Sequence, residues 1–566
     1  MNKFNGLKNL TNDGFNIDGD EIPSIKVKSY TKINISNFPE KIDEEKAIVN
    51  LPQVEMQVLD WRTHQDDDIN GKKTVVIRLF GRTRDQKTIY VQINKFTPYF
   101  FIEINKSWRQ NQINALIAAV KNKVYPKENA EGLINCQPVS KYKFWGFTNY
   151  EKFNFLHLTF TSIDAMKSFE RVFKKPISVR LISHKDIKIK LYESNIEPLL
   201  RCMHIRQLEA VGWISISKYQ IMPDNPSICD INITTEWTNL FKIEDRTLSP
   251  FVIASFDLEC TSGDGTFPQA NRDEDKIIQI GTTFSRLGES ECFYQHIITL
   301  GSCDPVSNTD VESYETEQEV LLAWARLIKE KNPDIMTGYN IVGFDLEYMK
   351  DRSKKLGILE QFSRLSRITN EMCQFKETKL ASSALGENLL KYFDMSGRII
   401  IDLMKVVQRD YKLESYKLDF VASYFIKEKI NKMVVKNDET VIETKSTYGL
   451  KAEQYITIYY YDGITNNKHM DGKKFQIKSL TESEIILYGK VDVSVINGGF
   501  KVFWCQAKDD ILPKDIFRLQ RGNSKDRSVV AKYCVQDCVL CNKLISKLQV
   551  LINNIGMANV CNVPLS

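Results

Sequence analysis

"SFDLECTSGDG", residues 255–265, places Asp257 and Glu259 two positions apart near the end of "FVIASFDLEC", a run that otherwise reads as a buried β-strand. Residues i and i+2 of a strand project from the same face. Two like charges would therefore stand side by side on the wall of a core. Strand carboxylates at this spacing usually face water, and the pair alone defines no chemistry. What it means depends on whether other acids converge on the same place.

The chain downstream supplies them. "KIIQIGTTFSR" and "ECFYQHIITL" read as two further strands joined by a turn containing Gly288. "ETEQEVLLAWARLIKEKNPD" reads as a helix closed by Asn332-Pro333, followed by a short strand, "DIMTGYN", and a second helix, "FDLEYMKDRSKKLG". "GRIIIDL" is another strand and "DRSVVAKYCVQDCVLCNKLISKLQVL" a long late helix. The expected architecture is a small sheet of antiparallel strands flanked by helices.

Asp345 opens the second helix, where the macrodipole favours a carboxylate. Asn340, in the turn before it, reads either as an ordinary turn residue or as a partner for nearby backbone. On the late helix Val530, Tyr533, Asp537, Leu540, Leu544 and Leu548 recur at i+3 and i+4 as one stripe. Asp537 is thus an acid in the middle of an apolar face, where an isolated carboxylate costs several kcal/mol unless paired or bound to a cation. Tyr533 lies one turn away. Taken jointly, the acids suggest divalent cations. Two Mg2+ ions about 3.5–4 Å apart would clamp a phosphodiester, one activating water and the other stabilising the leaving oxygen. Tyr533 would position that water.

Composition sets the frame. With 566 residues the chain is too long for one core and suggests roughly three or four domains at about 150 residues each. Hydrophobic residues make up 42% and charged residues 26%, ordinary for a folded protein. No stretch approaches the ~18 uninterrupted apolar residues of a membrane span. The polar start "MNKFNGLKNLTNDGFNIDGD" lacks the apolar core of a secretory signal, so an intracellular protein is expected. The formal charge of +5 neither demands nor excludes nucleic acid, whose binding needs local clusters of Lys and Arg. The 12 cysteines include no pair of CxxC motifs at zinc spacing, and Cys534, Cys538 and Cys541 read as reduced core residues.

Residues 1–53 read as a polar extension, and 54–250 as an α+β unit whose strand–helix alternation suits an RNA-recognition-like sheet. Between 427 and 512 β-prone pieces separated by Asn/Gly/Lys-rich turns read as an insertion, "SEIILYGKVDVSVI" among them.

"FDLEC…GTFP", "TGYNIVGFDLEYM" and "YCVQD" closely resemble the three exonuclease motifs of family B DNA polymerases, Asp-x-Glu, Asn-x-x-x-Phe-Asp and Tyr-x-x-x-Asp. The delta catalytic branch looks closest, with matching flanks in "FPQANRDEDKIIQIG", "GRIIIDLMKVVQRDYKLESYKLDFVASYF" and "LINNIGMANVCNVPLS". The Asn/Lys/Ile-rich composition looks like that of a large DNA virus.

The resemblance implies a mixed α+β and α/β multidomain chain. A ribonuclease-H-like 3′–5′ exonuclease domain (251–426 and 513–550) would follow the family's N-terminal domain, and 551–566 would begin the connection to a palm. It implies Asp257, Glu259, Asp345 and Asp537 as ligands of two Mg2+ or Mn2+ ions, and Tyr533 as the water-positioning residue. Asn340 and Phe344 would contact the 3′ end and pack beneath it, and Phe267 would wedge against terminal bases unless it is a core aromatic. Asp402 would be structural.

The expected substrate is the 3′ end of single-stranded DNA or primer–template DNA, at the nucleus or a viral replication site. The polymerising motifs Asp-x-x-Ser-Leu-Tyr-Pro, Tyr-Gly-Asp-Thr-Asp and Lys-x-x-x-Asn-Ser-x-Tyr-Gly are missing from this sequence. The expectation is a truncated frame or half of a split enzyme, with palm, fingers and thumb on a second chain and a sliding clamp as a further partner. The alternatives are a free-standing repair exonuclease and a non-catalytic DNA-binding or docking module.

Overall fold

A computed structural model describes residues 53–565 except 68–70, 145, 290, 383–385 and 508–510. The expected polar extension, apart from its last residue, lies outside the described residues.

The strand carrying Asp257 and Glu259, Val252–Cys260, lies inside a six-stranded sheet. The order is Asp310–Tyr314, Cys292–Leu300, Ile277–Arg286, Val252–Cys260, Ile335–Gly338 and Ile399–Asp402. Val252–Cys260 pairs antiparallel with Ile277–Arg286 but parallel with Ile335–Gly338, which pairs parallel with Ile399–Asp402. The sheet is mixed, which corrects the antiparallel expectation. Parallel neighbours need a crossover too long for a hairpin, and the helix Glu317–Lys331 supplies one. That helix starts in a capping box between Thr316 and Glu319 and ends where Asn332, at φ 44°, meets Pro333.

Alternation along the Asp257 strand divides its side chains. Ala254, Phe256 and Leu258 join the core under Glu317–Lys331, with Phe256 and Trp324 rings 5.1 Å apart. Ser255, Asp257 and Glu259 take the opposite face. There the late helix, Ser524–Lys547, packs across the sheet. It stops short of the expected single helix: Gln549 turns left-handed at φ 49°, and a separate helix, Val550–Cys561, follows.

Two sheets precede this unit. Seven strands run in the order Leu240–Ile243, Trp213–Ile216, Val54–Asp67, Lys73–Thr83, Thr88–Asn94, Ile231–Glu236, Gln220–Ile221. The second sheet orders Leu133–Tyr142, Lys152–Phe160, Tyr99–Glu103 and Leu191–Tyr192, with helices Gln110–Lys123 and Ile163–Phe173 packed on one face. Its chain order is β-α-β-β-α-β.

The β-prone segment closes on itself. Lys427–Lys436, Glu439–Thr444, Glu484–Leu487, Phe475–Leu480, Tyr455–Tyr461 and Lys501–Ala507 pair successively and antiparallel, and Lys501–Ala507 pairs back to Lys427–Lys436. Closure leaves this six-stranded barrel without a free edge. Its interior is apolar, and Trp504 Nε1 donates to Thr444 Oγ1 at 3.0 Å. "SEIILYGKVDVSVI" is strand only over Glu484–Leu487, and Ser494–Asn497 is one helical turn.

A buried ion cluster ties the first sheet to the Asp257 sheet. Asp334, fully buried, accepts from Arg82 Nε at 2.5 Å, Arg367 Nη2 at 2.8 Å and the Val252 N–H at 2.7 Å. Arg367 Nε and Arg398 Nη1 both donate to Asn332 Oδ1, at 2.9 and 3.0 Å.

Candidate active site

The end of the Asp257 strand collects acids from three elements. Asp257 and Glu259 point to the late-helix side, and their carboxylate oxygens lie with Cys534 Sγ within 4.8 Å of one another. Asp345 and Asp537, both buried, flank this tightest group rather than join it.

Asp345 is placed by a change in sheet pairing. Ile335–Gly338 pairs with the central strand only through Ser255↔Thr337. Beyond that point the strand edge is open, and the Asp345 carboxylate accepts the N–H of Leu258, the residue between Asp257 and Glu259. The turn preceding Asp345 is held by Asp402, which accepts the N–H groups of Asn340 at 3.1 Å and Val342 at 3.0 Å. Asn340 sits at φ 64° and its carbonyl accepts the Gly343 and Phe344 N–H groups. Asp402 therefore has a scaffold role.

Asp537 is brought in by the crossing of the late helix, and a glycine sets the approach. Gly281 lies opposite Asp257 in the neighbouring strand, and a Cβ there would meet Cys534 Sγ at 2.8 Å and Cys538 Sγ at 3.1 Å. An isolated glycine in a strand pattern is the signal of such a close approach, and the sequence reading did not use it. Cys534 was likewise read only as core. Burial pushes its thiol up to about 12, so an S–H meets the Asp257 carbonyl at 3.6 Å. The carboxylates remain the fitting donors for a hard cation.

Burial raises Asp345 to about 7, and the neighbouring Asp402 carboxylate adds to this, against its own N–H and that of Leu258. Asp345 thus holds a proton more tightly in the folded chain than in the unfolded one. Stability from this group is present at low pH and lost as pH rises from the ordinary carboxylate range through about 7. In EDTA at pH 8, Asp345→Asn should therefore melt several degrees above the unsubstituted protein, with the gap shrinking toward pH 4. A shift of this size corresponds to on the order of 4 kcal/mol. Equal melting temperatures at pH 8 would refute it.

Tyr533 lies one turn before Asp537 on the late helix, half-buried against Ile278, Ile516 and Val530. Phe267 is 71% exposed, not a core aromatic, and its ring stands edge-on to Phe344 at 5.3 Å. Its loop is rigidly built. Fully buried Asp275 accepts the N–H groups of Gly263 at 2.9 Å and Gln269 at 2.8 Å. Arg352, paired with Glu317, donates to the carbonyls of Ala270 and Arg272.

Residues 189–421 match the family model described as "DNA polymerase family B, exonuclease domain", a span that includes Asp257, Glu259 and Asp345 but not Tyr533 or Asp537. The chain is 33% identical to the DNA polymerase of Acanthamoeba polyphaga mimivirus over 92% of its own length and 37% of the relative's. It is 27% identical to the DNA polymerase delta catalytic subunit of Oryza sativa subsp. japonica, over 87% of this chain and 38% of that one. The chain thus spans well under half of each. A family B DNA polymerase from the archaeon Pyrobaculum calidifontis shares the fold at a TM-score of 0.53 and 15% identity, covering 90% of this chain and 48% of that one.

Proposed function

The chain carries the exonuclease domain of the family B DNA polymerases, and on that premise we propose that it removes nucleotides from single-stranded DNA 3′ ends by metal-dependent hydrolysis. The observation that carries this reading is the convergence of four carboxylates from one strand end and two helices, with Asp345 held on the backbone N–H between Asp257 and Glu259.

Asp257, Glu259, Asp345 and Asp537 would hold two divalent cations, Mg2+ or Mn2+, which when bound supply Lewis-acid activation of water and charge stabilisation at the leaving oxygen. The chain's own residues do the rest. The Tyr533 hydroxyl orients the attacking water. Phe267 and Phe344 form an aromatic step on which terminal bases stack whatever their sequence, as the trimming of any mispaired end requires. Asn340 contacts the 3′ end. The rigid Asp275-anchored loop keeps Phe267 in place.

The context proposed for this site is proofreading in a replicative polymerase. Primer–template DNA, a palm with fingers and thumb, and a sliding clamp belong to that context, in a nucleus or at a viral replication site. No helix among the described residues is long and apolar enough to cross a membrane.

The test is digestion of a 5′-labelled single-stranded oligonucleotide with Mg2+, with Mn2+ and with EDTA. A ladder shortening from the 3′ end that appears only with a metal is the expected result. Folded protein that binds the oligonucleotide yet leaves it intact with both metals would overturn the proposal.

A further inference from the structure

We propose that Asp257, Glu259 and Cys534 together bind one thiophilic divalent cation of the Zn2+ class, in competition with the hard cations that the carboxylates take without the thiol. The effect of that cation on hydrolysis rests on the function proposed above; its binding does not.

The site follows from the register of two strands. Asp257 stands opposite Gly281 and Glu259 opposite Gln279, so these positions form a square on one face of the sheet. Three corners carry side chains that offer oxygen. The fourth is a glycine, and the late helix fills it, since a Cβ at Gly281 would meet Cys534 Sγ at 2.8 Å. The thiol thus occupies the corner that the sheet leaves bare. Its sulfur and one oxygen from each of Asp257 and Glu259 lie within 4.8 Å of one another.

Gln279 is a second and independent sign of a ligand. It is fully buried, and its Nε2 donates to the Arg527 carbonyl of the late helix at 2.9 Å. Among the described residues no donor reaches its Oε1. A buried amide oxygen left without a donor costs about 1–3 kcal/mol. Held between strand and helix beside Glu259, this oxygen gains a donor when a water completes the shell of the bound cation.

The donor set selects the cation. Mg2+ demands oxygen ligands in near-octahedral geometry and has no use for sulfur. Zn2+ takes a tetrahedral set that mixes thiolate with carboxylate, at about 2.3 Å to sulfur and about 2.1 Å to oxygen. Its ligand atoms then sit roughly 3.5 Å apart, so the trio closes on the ion by a movement of about 1 Å. The Sγ proton, which meets the Asp257 carbonyl at 3.6 Å, leaves to solvent as the metal takes its place. Asp257 is only half-buried, and the cation enters from its side. Once held by the thiolate and both carboxylates, it keeps Asp257 and Glu259 from a pair of Mg2+ ions, and removal of nucleotides stops.

The probe is Cd2+, a larger ion of the same ligand preference whose bond to a thiolate gives an ultraviolet charge-transfer band. Titrated into the full chain without DNA or Mg2+, Cd2+ should raise this band and Zn2+ should displace it. Cys534→Ser should abolish the band. Glu259→Gln should weaken Cd2+ binding at least tenfold, since even the outer partners of a metal count for about 10–100-fold. Cys561→Ser, which lacks an exposed cysteine, should bind Cd2+ as the unsubstituted protein does. Thermal melting without metal checks that each variant folds, and Cys534→Ala is the second variant should the serine hydroxyl disturb the packing. In the Mg2+ digestion, Zn2+ should inhibit the unsubstituted protein at concentrations at least tenfold lower than those that inhibit Cys534→Ser. A folded Cys534 variant that keeps the band, a band indifferent to Glu259→Gln, or no band in the unsubstituted chain would each overturn the proposal, and equal inhibition by Zn2+ would overturn the competition. An oligonucleotide left intact with Mg2+ would count against the proposed hydrolysis and leave the Cd2+ result standing.

Discussion

Replacing Asp257 and Glu259 together by alanine is expected to slow the proposed removal of 3′ nucleotides at least about a thousandfold while leaving the fold and the proposed strand binding intact. The two side chains stand on one face of one strand end, where their oxygens and Cys534 Sγ share a space of 4.8 Å. Without them the hard-oxygen donors left nearby are Asp345, held on the Leu258 N–H, and Asp537 on the crossing helix. Losing the Lewis-acid contribution costs several kcal/mol of barrier, and about 4 kcal/mol corresponds to a thousandfold in rate. The fold should survive because the substitution removes like charges from a crowded place and opens no apolar cavity; Asp257 itself is only half-buried. Single-turnover digestion of a labelled oligonucleotide reads the rate, and circular dichroism reads the fold. A double variant that digests at even a tenth of the normal rate would remove these residues from the chemistry.

Asp334→Ala is expected to be the most damaging single substitution for stability, by about 3–5 kcal/mol or more. Asp334 is a carboxylate with no solvent contact that serves Arg82, Arg367 and the Val252 N–H at once. Arg398 is buried in the same cluster, and its guanidinium is lowered to about 9, first by burial and then by Arg367. Removing this carboxylate leaves two buried guanidiniums, Arg82 and Arg367, without their ion-pair partner, and the cost is theirs rather than the lost hydrogen bonds alone. The effect should spread to the first sheet, because Arg82 belongs to the strand Lys73–Thr83. Soluble yield and urea unfolding give the readout. Asp334→Asn should be less severe, since it keeps acceptors for some of these donors. An alanine variant within about 1 kcal/mol of the unsubstituted protein would show that the cluster is not holding the two sheets together.

Much of the Asp257 sheet was legible because its elements carry strong local signals. The helix Glu317–Lys331 announces itself by Thr316, Glu319 and Asn332-Pro333, and the strands by apolar runs bounded by turns. Strand direction was not legible. Nothing inside "DIMTGYN" or "GRIIIDL" says whether it runs with or against its neighbour; the helices between them decide that. The break at Gln549 was missed for a related reason, since the apolar pattern runs on through it while the backbone turns left-handed.

The sequence by itself determined which acids are candidates for a common site: an i, i+2 acid pair on a strand, an acid at a helix start, and an acid in an apolar helical stripe. These follow from periodicity, which is local. Only the tertiary structure decided how they meet. The end of pairing at Thr337 leaves the Leu258 N–H for Asp345, and Gly281 lets the late helix come down on Asp257. It also decided that Phe267 stands at the surface and that the β-prone segment closes into a barrel. Those outcomes depend on contacts between residues far apart in the chain, and no window of sequence short enough to read by pattern contains both partners.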